Sequence, residues 1–64
     1  MNVYFKQYLQ YVINAGGPTI EQFDDDWEPI GPRLRKQLSD EGLIDESDHS
    51  VRLTALGKAS LQNG

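Results

Sequence analysis

Helix-breaking residues partition this chain more sharply than any other feature. Gly16-Gly17-Pro18, then Pro29 with Gly31 and Pro32, then Gly42 interrupt it at short intervals, and Gly and Pro in such clusters stop helices and turn the backbone. The pieces between them are too short to persist as isolated helices, so a shared core must hold them. With 64 residues and no cysteine, neither disulfides nor thiolate metal sites supplement that core. A chain of this size buries only about 60% of its unfolded surface, which disfavours a deep cofactor cleft. The expectation is one domain over residues 1–64.

Within the first piece, Val3 to Ala15, apolar residues at 4, 5, 8, 9, 11, 12 and 13 form one broad arc of an amphipathic helix. Tyr4, Tyr8 and Tyr11 share one flank of it, and Phe5, Leu9, Val12 and Ile13 share the other. The aliphatic flank suits the core. The tyrosines either cover its edge with wet hydroxyls or form a partner or dimer surface, because the arc is wide for so small a domain. Thr19 followed by Gln22 has the capping-box pattern and opens a short second helix with Ile20, Phe23 and Trp27 inward. Asp24, Asp25 and Asp26 project elsewhere. Pro29 disfavours helical geometry at Glu28 and ends that helix.

Pro32 is suited to the first position of a third helix, predicted over Pro32 to Glu41, with Leu34 and Leu38 as its apolar pair. Gly42 is a natural left-handed stop, with Leu43 packing back on the helix. Beyond it the period changes: Ile44, then Val51 and Leu53, alternate with polar residues around Ser47 to Ser50, as in two short strands and a turn. Thr54 caps a final helix in which Ala55, Leu56, Ala59 and Leu61 are expected to face inward before Gln62 to Gly64 fray.

The predicted fold class is therefore mainly α with a small β-hairpin, in the order helix, helix, tight turn, helix, hairpin, helix. The middle pair fits a helix-turn-helix. The run Leu34-Arg35-Lys36-Gln37-Leu38-Ser39-Asp40-Glu41-Gly42-Leu43-Ile44, followed by Val51-Arg52-Leu53-Thr54-Ala55-Leu56-Gly57, resembles the recognition helix, wing and closing segment of winged helix-turn-helix regulators of the bacterial multiple-antibiotic-resistance and phenolic-acid-repressor types. That resemblance spans nearly the whole chain. It implies a small DNA-binding transcriptional regulator or accessory DNA-binding protein, with Arg33, Arg35, Lys36, Gln37 and Ser39 on the helix entering the major groove of double-stranded DNA and Arg52 on the wing. The chemistry agrees in part, since Arg reaches guanine O6 and N7, Gln reads adenine, and Lys and Ser more often take phosphates. Lys58 would add a backbone contact. Specificity from so few contacts would require a homodimer or a larger assembly, with Tyr4, Tyr8 and Tyr11 as its contact.

Charge argues the other way. The net charge is -4, the wrong sign for a protein drawn to polyanions by its overall field. The excess is N-terminal: Lys6 stands against Glu21, Asp24, Asp25, Asp26 and Glu28, whereas the half from Arg33 onward is balanced. The expected wing tip, Asp45-Glu46-Ser47-Asp48-His49-Ser50, carries carboxylates that phosphates would repel. The alternative is an acidic winged-helix protein-interaction module that docks a basic partner and binds no DNA, with Asp24, Asp25, Asp26 and Glu28 beside the tyrosines and Trp27 as its contact. Carboxylates early in a helix also serve its dipole. Asp45, Glu46, Asp48 and His49 lack the register of a calcium loop, so no metal or other cofactor is expected. With one His, no Cys, no nucleophile elbow and no phosphate-cradling loop, no enzyme activity is expected either. Residues 1–16 lack the unbroken apolar run of a signal peptide or membrane span, so the expectation is a cytoplasmic protein that does not enter membranes.

Overall fold

The computed structural model describes the backbone of residues 3–63 and the side chains of residues 5–62. Four helices and one two-stranded antiparallel sheet follow in the order α1 Val3–Asn14, α2 Ile20–Asp26, α3 Gly31–Asp40, β1 Ile44–Asp45, β2 Arg52–Leu53 and α4 Ala55–Asn63. The protein is thus mainly helical with a small hairpin. α1 packs on α4 and β2, while α2 packs on α3 and α3 on β1. No helix among the described residues is long and apolar enough to cross a membrane.

The glycines end two helices in the same way. At the end of α1, Gly16 N–H donates to Ile13 O (3.1 Å) and Gly17 N–H to Val12 O (3.3 Å), with φ of 70° and 84°. At the end of α3, Gly42 N–H donates to Ser39 O and Leu43 N–H to Leu38 O, both at 2.9 Å, with Gly42 at φ 76°. Both are Schellman motifs, in which the left-handed residue satisfies orphan carbonyls and turns an apolar residue back onto the helix. Leu43 is that residue in α3, and it is buried. Thr19 caps α2 by accepting from Gln22 N–H at 3.1 Å, which is one half of the expected box. Asp40, unfavourable at a helix C-terminus, accepts from Lys36 at 2.9 Å, four residues back.

One core unites the elements. Phe5, Leu9 and Val12 of α1, Phe23 of α2, Leu34 and Leu38 of α3, and Leu43, Ile44 and Val51 around the hairpin are buried together. Strand pairing joins Ile44 to Leu53 and Asp45 to Arg52. The turn between the strands places Asp48 and His49 at φ 52° and 64° and closes with Ser50 N–H on Ser47 O at 3.0 Å, the geometry in which consecutive left-handed residues match strand twist. The returning leg is also tied to the start of α2. Val51 N–H donates to Pro18 O (2.8 Å), Ile20 N–H donates to His49 O (3.0 Å), and Thr19 bridges Ser50. That third strand-like contact was not foreseen, since residues 18–20 are too few to show a period.

Two expectations about inward faces are corrected. Leu56 is 55% exposed and Ala55 is exposed as well, because α4 turns Gly57, together with the expected and partly buried Leu61, toward the core. A Cβ at Gly57 would lie 2.1 Å from Leu43 O, and one at Gly31 would lie 2.6 Å from Asp24 Cα. Helix α4 is held in that orientation by Thr54, whose side chain donates to Gly42 O (2.6 Å) and accepts from Gly57 N–H (3.0 Å), while its backbone N–H donates to Leu43 O (3.1 Å). Ile13, assigned to the core flank of α1, is 47% exposed. Helix α4 also takes in Gln62 and Asn63, which were expected to fray.

Backbone-to-backbone approach at these glycines leaves no flexible group to yield. Gly57→Ala and Gly31→Ala are each expected to lower unfolding free energy in urea by about 1–3 kcal/mol, against a change within about 0.5 kcal/mol for the exposed Lys58→Ala. Equal stabilities for Gly57→Ala and the parent protein would show that the α4 orientation is not set by this contact.

Candidate functional site

Arg35, one of the cations expected to enter the major groove, is engaged within the fold. Its Nε donates to Asp24 Oδ1 (2.6 Å) and its Nη2 to Asp24 Oδ2 (2.8 Å), a bidentate fork, while Nη1 donates to Glu46 Oε1 (3.0 Å). Its side chain is 17% exposed. Hydrogen bonding to Asp24 is the chief reason its pKa rises further above the ordinary arginine value, with Glu46 adding to it. Such paired, planar donation is a particular property of arginine. The contact joins α2, α3 and the residue after β1.

The other expected DNA contacts divide between α3 and the end of α1. Arg33, Gln37 and Ser39 are exposed on α3, and no carboxylate among the described residues pairs with Arg33. Lys36 pairs with Asp40, but both ends are solvent-exposed, so the bridge is worth at most a few tenths of a kcal/mol, roughly 0.3–0.5, and leaves the ammonium accessible. Arg52 lies instead against the end of α1, in a depression with Val12, Ile13, Gly17 and Lys58. The depression beside α3 is lined by Lys36, Ser39, Asp40, Asp45, Glu46 and Arg35, together with Pro32. Three carboxylates there face two cations, one of which is already forked onto Asp24.

Elsewhere the expected aromatic residues Tyr8, Tyr11 and Trp27 meet one another, and of the expected acids Asp26 meets them. Tyr8 and Tyr11 stand edge-on to Trp27, with ring centroids 4.7 and 5.5 Å away, and Tyr11 is 5.8 Å from Phe23. These rings therefore pack within the fold and expose only part of their surface. The side chain of Tyr4, expected on the same flank, lies outside the described residues. Tyr11 hydroxyl donates to Asp26, and Asp25 and Asp26 are exposed. Asp24 does not join that cluster, because it turns to Arg35. An open depression bounded by Gln7, Gln10, Tyr11, Asn14 and Trp27 lies alongside. The Trp27 indole N–H is buried with no acceptor among the described residues, an arrangement that costs about 1–3 kcal/mol.

His49, at the expected wing tip, is exposed and pairs with Glu21. The Glu21 pKa is held down first by its backbone hydrogen bond at the start of α2 and then by His49. Sequence reasoning missed this pair and the Arg35 fork for the same reason: partners 11 and 28 residues apart follow no helix or strand period.

Burial, and then the Asp26 carboxylate, push the Tyr11 phenol from its ordinary value of 10.0 up to about 12. A folded-state pKa above the unfolded one stabilises the fold fully below about pH 10, and that contribution fades as pH rises toward about 12. Unfolding midpoints followed across this window are expected to fall more steeply for the parent than for Tyr11→Phe. Parallel profiles would contradict the assignment.

Comparison of the chain with protein-family models, with curated proteins and with solved structures finds no match.

Proposed function

We propose that this chain is an acidic module of the winged helix-turn-helix type that binds a basic protein segment, without chemistry of its own and without reading DNA through α3. The element order, with the tight Ile30 turn between α2 and α3 and the hairpin before α4, supports the winged-helix reading. The observation that carries the functional choice is the Arg35 fork. A guanidinium that already donates three of its five N–H groups to Asp24 and Glu46 has its Nε fork occupied, and pulling it toward a base edge would leave the Asp24 and Glu46 carboxylates without their cation. The depression beside α3 then presents Asp40, Asp45 and Glu46 where a duplex would bring phosphates, which weakens rather than builds salt-dependent affinity.

A basic partner is favoured by the same charges. Asp26 accepts from the Tyr11 hydroxyl, and Asp25 and Glu28 are exposed within two residues of it in the chain, so a lysine or arginine docking there gains ion pairing. The net charge of -4 speeds such an encounter and makes it salt-sensitive. DNA binding stands as the second reading because Arg33, Lys36 and Ser39 are exposed together on α3.

The test is a pair of titrations of the full chain at low and moderate salt, one with an Arg/Lys-rich peptide and one with a random-sequence DNA duplex. The proposal expects peptide-induced shifts at Asp25, Asp26 and the Trp27 indole that weaken in Asp25→Asn/Asp26→Asn, and no duplex binding at low salt. Duplex binding that disappears in Arg33→Ala/Lys36→Ala would overturn it in favour of the second reading. Arg35 variants are unsuitable for that comparison, because they also remove its contacts with Asp24 and Glu46.

A further inference from the structure

The depression at the end of α1 differs in charge from the rest of this acidic protein. Arg52 and Lys58 line it with Val12, Ile13, Leu53 and the bare backbone of Gly16-Gly17, and no carboxylate contributes to it. Two of the six basic residues thus converge on one concavity, and neither pairs with an acid among the described residues. Its volume is about 280 Å³, at the small end for ligand sites.

The floor explains why a concavity exists. Gly16 and Gly17 adopt left-handed geometry and carry no side chains, and Arg52 lies across Gly17, with Nε 3.7 Å from where a Cβ would stand. The carbonyls of Val12 and Ile13, which would repel an anion, accept hydrogen bonds from Gly17 and Gly16. Ile13, displaced from the core and 47% exposed, forms an apolar wall. Cations beside an apolar wall select a ligand with an anionic head and an apolar body, and they disfavour a phosphodiester whose hydration would be stripped against Ile13.

We infer that this depression binds an apolar monocarboxylate, with the carboxylate between Arg52 and Lys58 and the hydrocarbon on Val12, Ile13 and Leu53. The same chemistry is presented by a medium-chain fatty acid and by the C-terminus of a peptide ending in leucine. The site is independent of the acidic face proposed above, so either reading can fail without the other.

Amide shifts of the full-length chain would be followed during titration with octanoate, octanol, inorganic phosphate, and a Leu-terminated tripeptide as free acid or C-terminal amide. Saturable shifts at Ile13, Gly16, Gly17 and Leu53 with octanoate, with the free-acid peptide, or with both are expected. The arm that responds identifies the source. Binding should weaken by about tenfold in Arg52→Gln/Lys58→Gln, both exposed positions whose unchanged spectrum elsewhere would report an intact fold; Ile13→Ser should weaken it by a second route. The inference is overturned if no carboxylate gives saturable shifts, if octanol or the amidated peptide binds equally well, or if phosphate alone reproduces the shifts.

Discussion

Arg35 sits where three pieces of the structure meet. Its fork onto Asp24 ties α3 to α2, and its third contact, to Glu46, ties both to the start of the hairpin loop. A chain of 64 residues without disulfides has little core to spare, and a charge-assisted, bidentate contact at 17% exposure is of the kind that adds geometric definition as well as energy. Its position beside Gly31 matters. The absence of a side chain there lets α3 approach the Asp24 backbone, and that approach brings the guanidinium within reach of the carboxylate.

This one contact also decides how the surface charge reads. Taken as a list, Arg33, Arg35 and Lys36 make a basic helix face, and Asp24, Asp25 and Asp26 make an acidic one. In the fold the two lists cancel at their most buried members, Arg35 and Asp24. What remains outward is a thinner basic face on α3, bordered by Asp40, Asp45 and Glu46, and an acidic edge at Asp25 and Asp26 beside the aromatic cluster. Of the three basic residues left over, Arg52 and Lys58 lie together at the end of α1, and the third is Lys6.

Much of the architecture was legible because local rules and tertiary structure agree. Gly16, Gly42, Thr19 and Thr54 end or cap helices as their chemistry requires, and Leu34, Leu38, Phe23 and Leu9 are buried as their spacing predicts. The closing segment Leu53-Thr54-Ala55-Leu56-Gly57 also has a physical explanation. Thr54 caps α4 while Gly57 lets it rest on the Leu43 carbonyl, and the inward turn of Gly57 leaves Leu56 in solvent. Periodicity could not show that, since it assigns apolar residues inward and says nothing of a backbone contact that only glycine permits. Nor could it show that Arg35 folds back onto Asp24, because side-chain pairing across a helix junction depends on the crossing geometry. Which charged residues reach the surface was thus legible for Arg33, Lys36, Asp25 and Asp26, whereas the engagement of Arg35 with Asp24 and Glu46 was not.

The most direct test of this account is a double-mutant cycle between Asp24 and Arg35, measured by urea unfolding of the parent, Asp24→Ala, Arg35→Ala and the double variant. If the fork holds α2, α3 and the hairpin together, the two positions should be coupled by about 1–3 kcal/mol, with the double variant less destabilised than the sum of the singles. Additive effects, within about 0.3–0.5 kcal/mol, would mean that Arg35 is free to act elsewhere, and would contradict it.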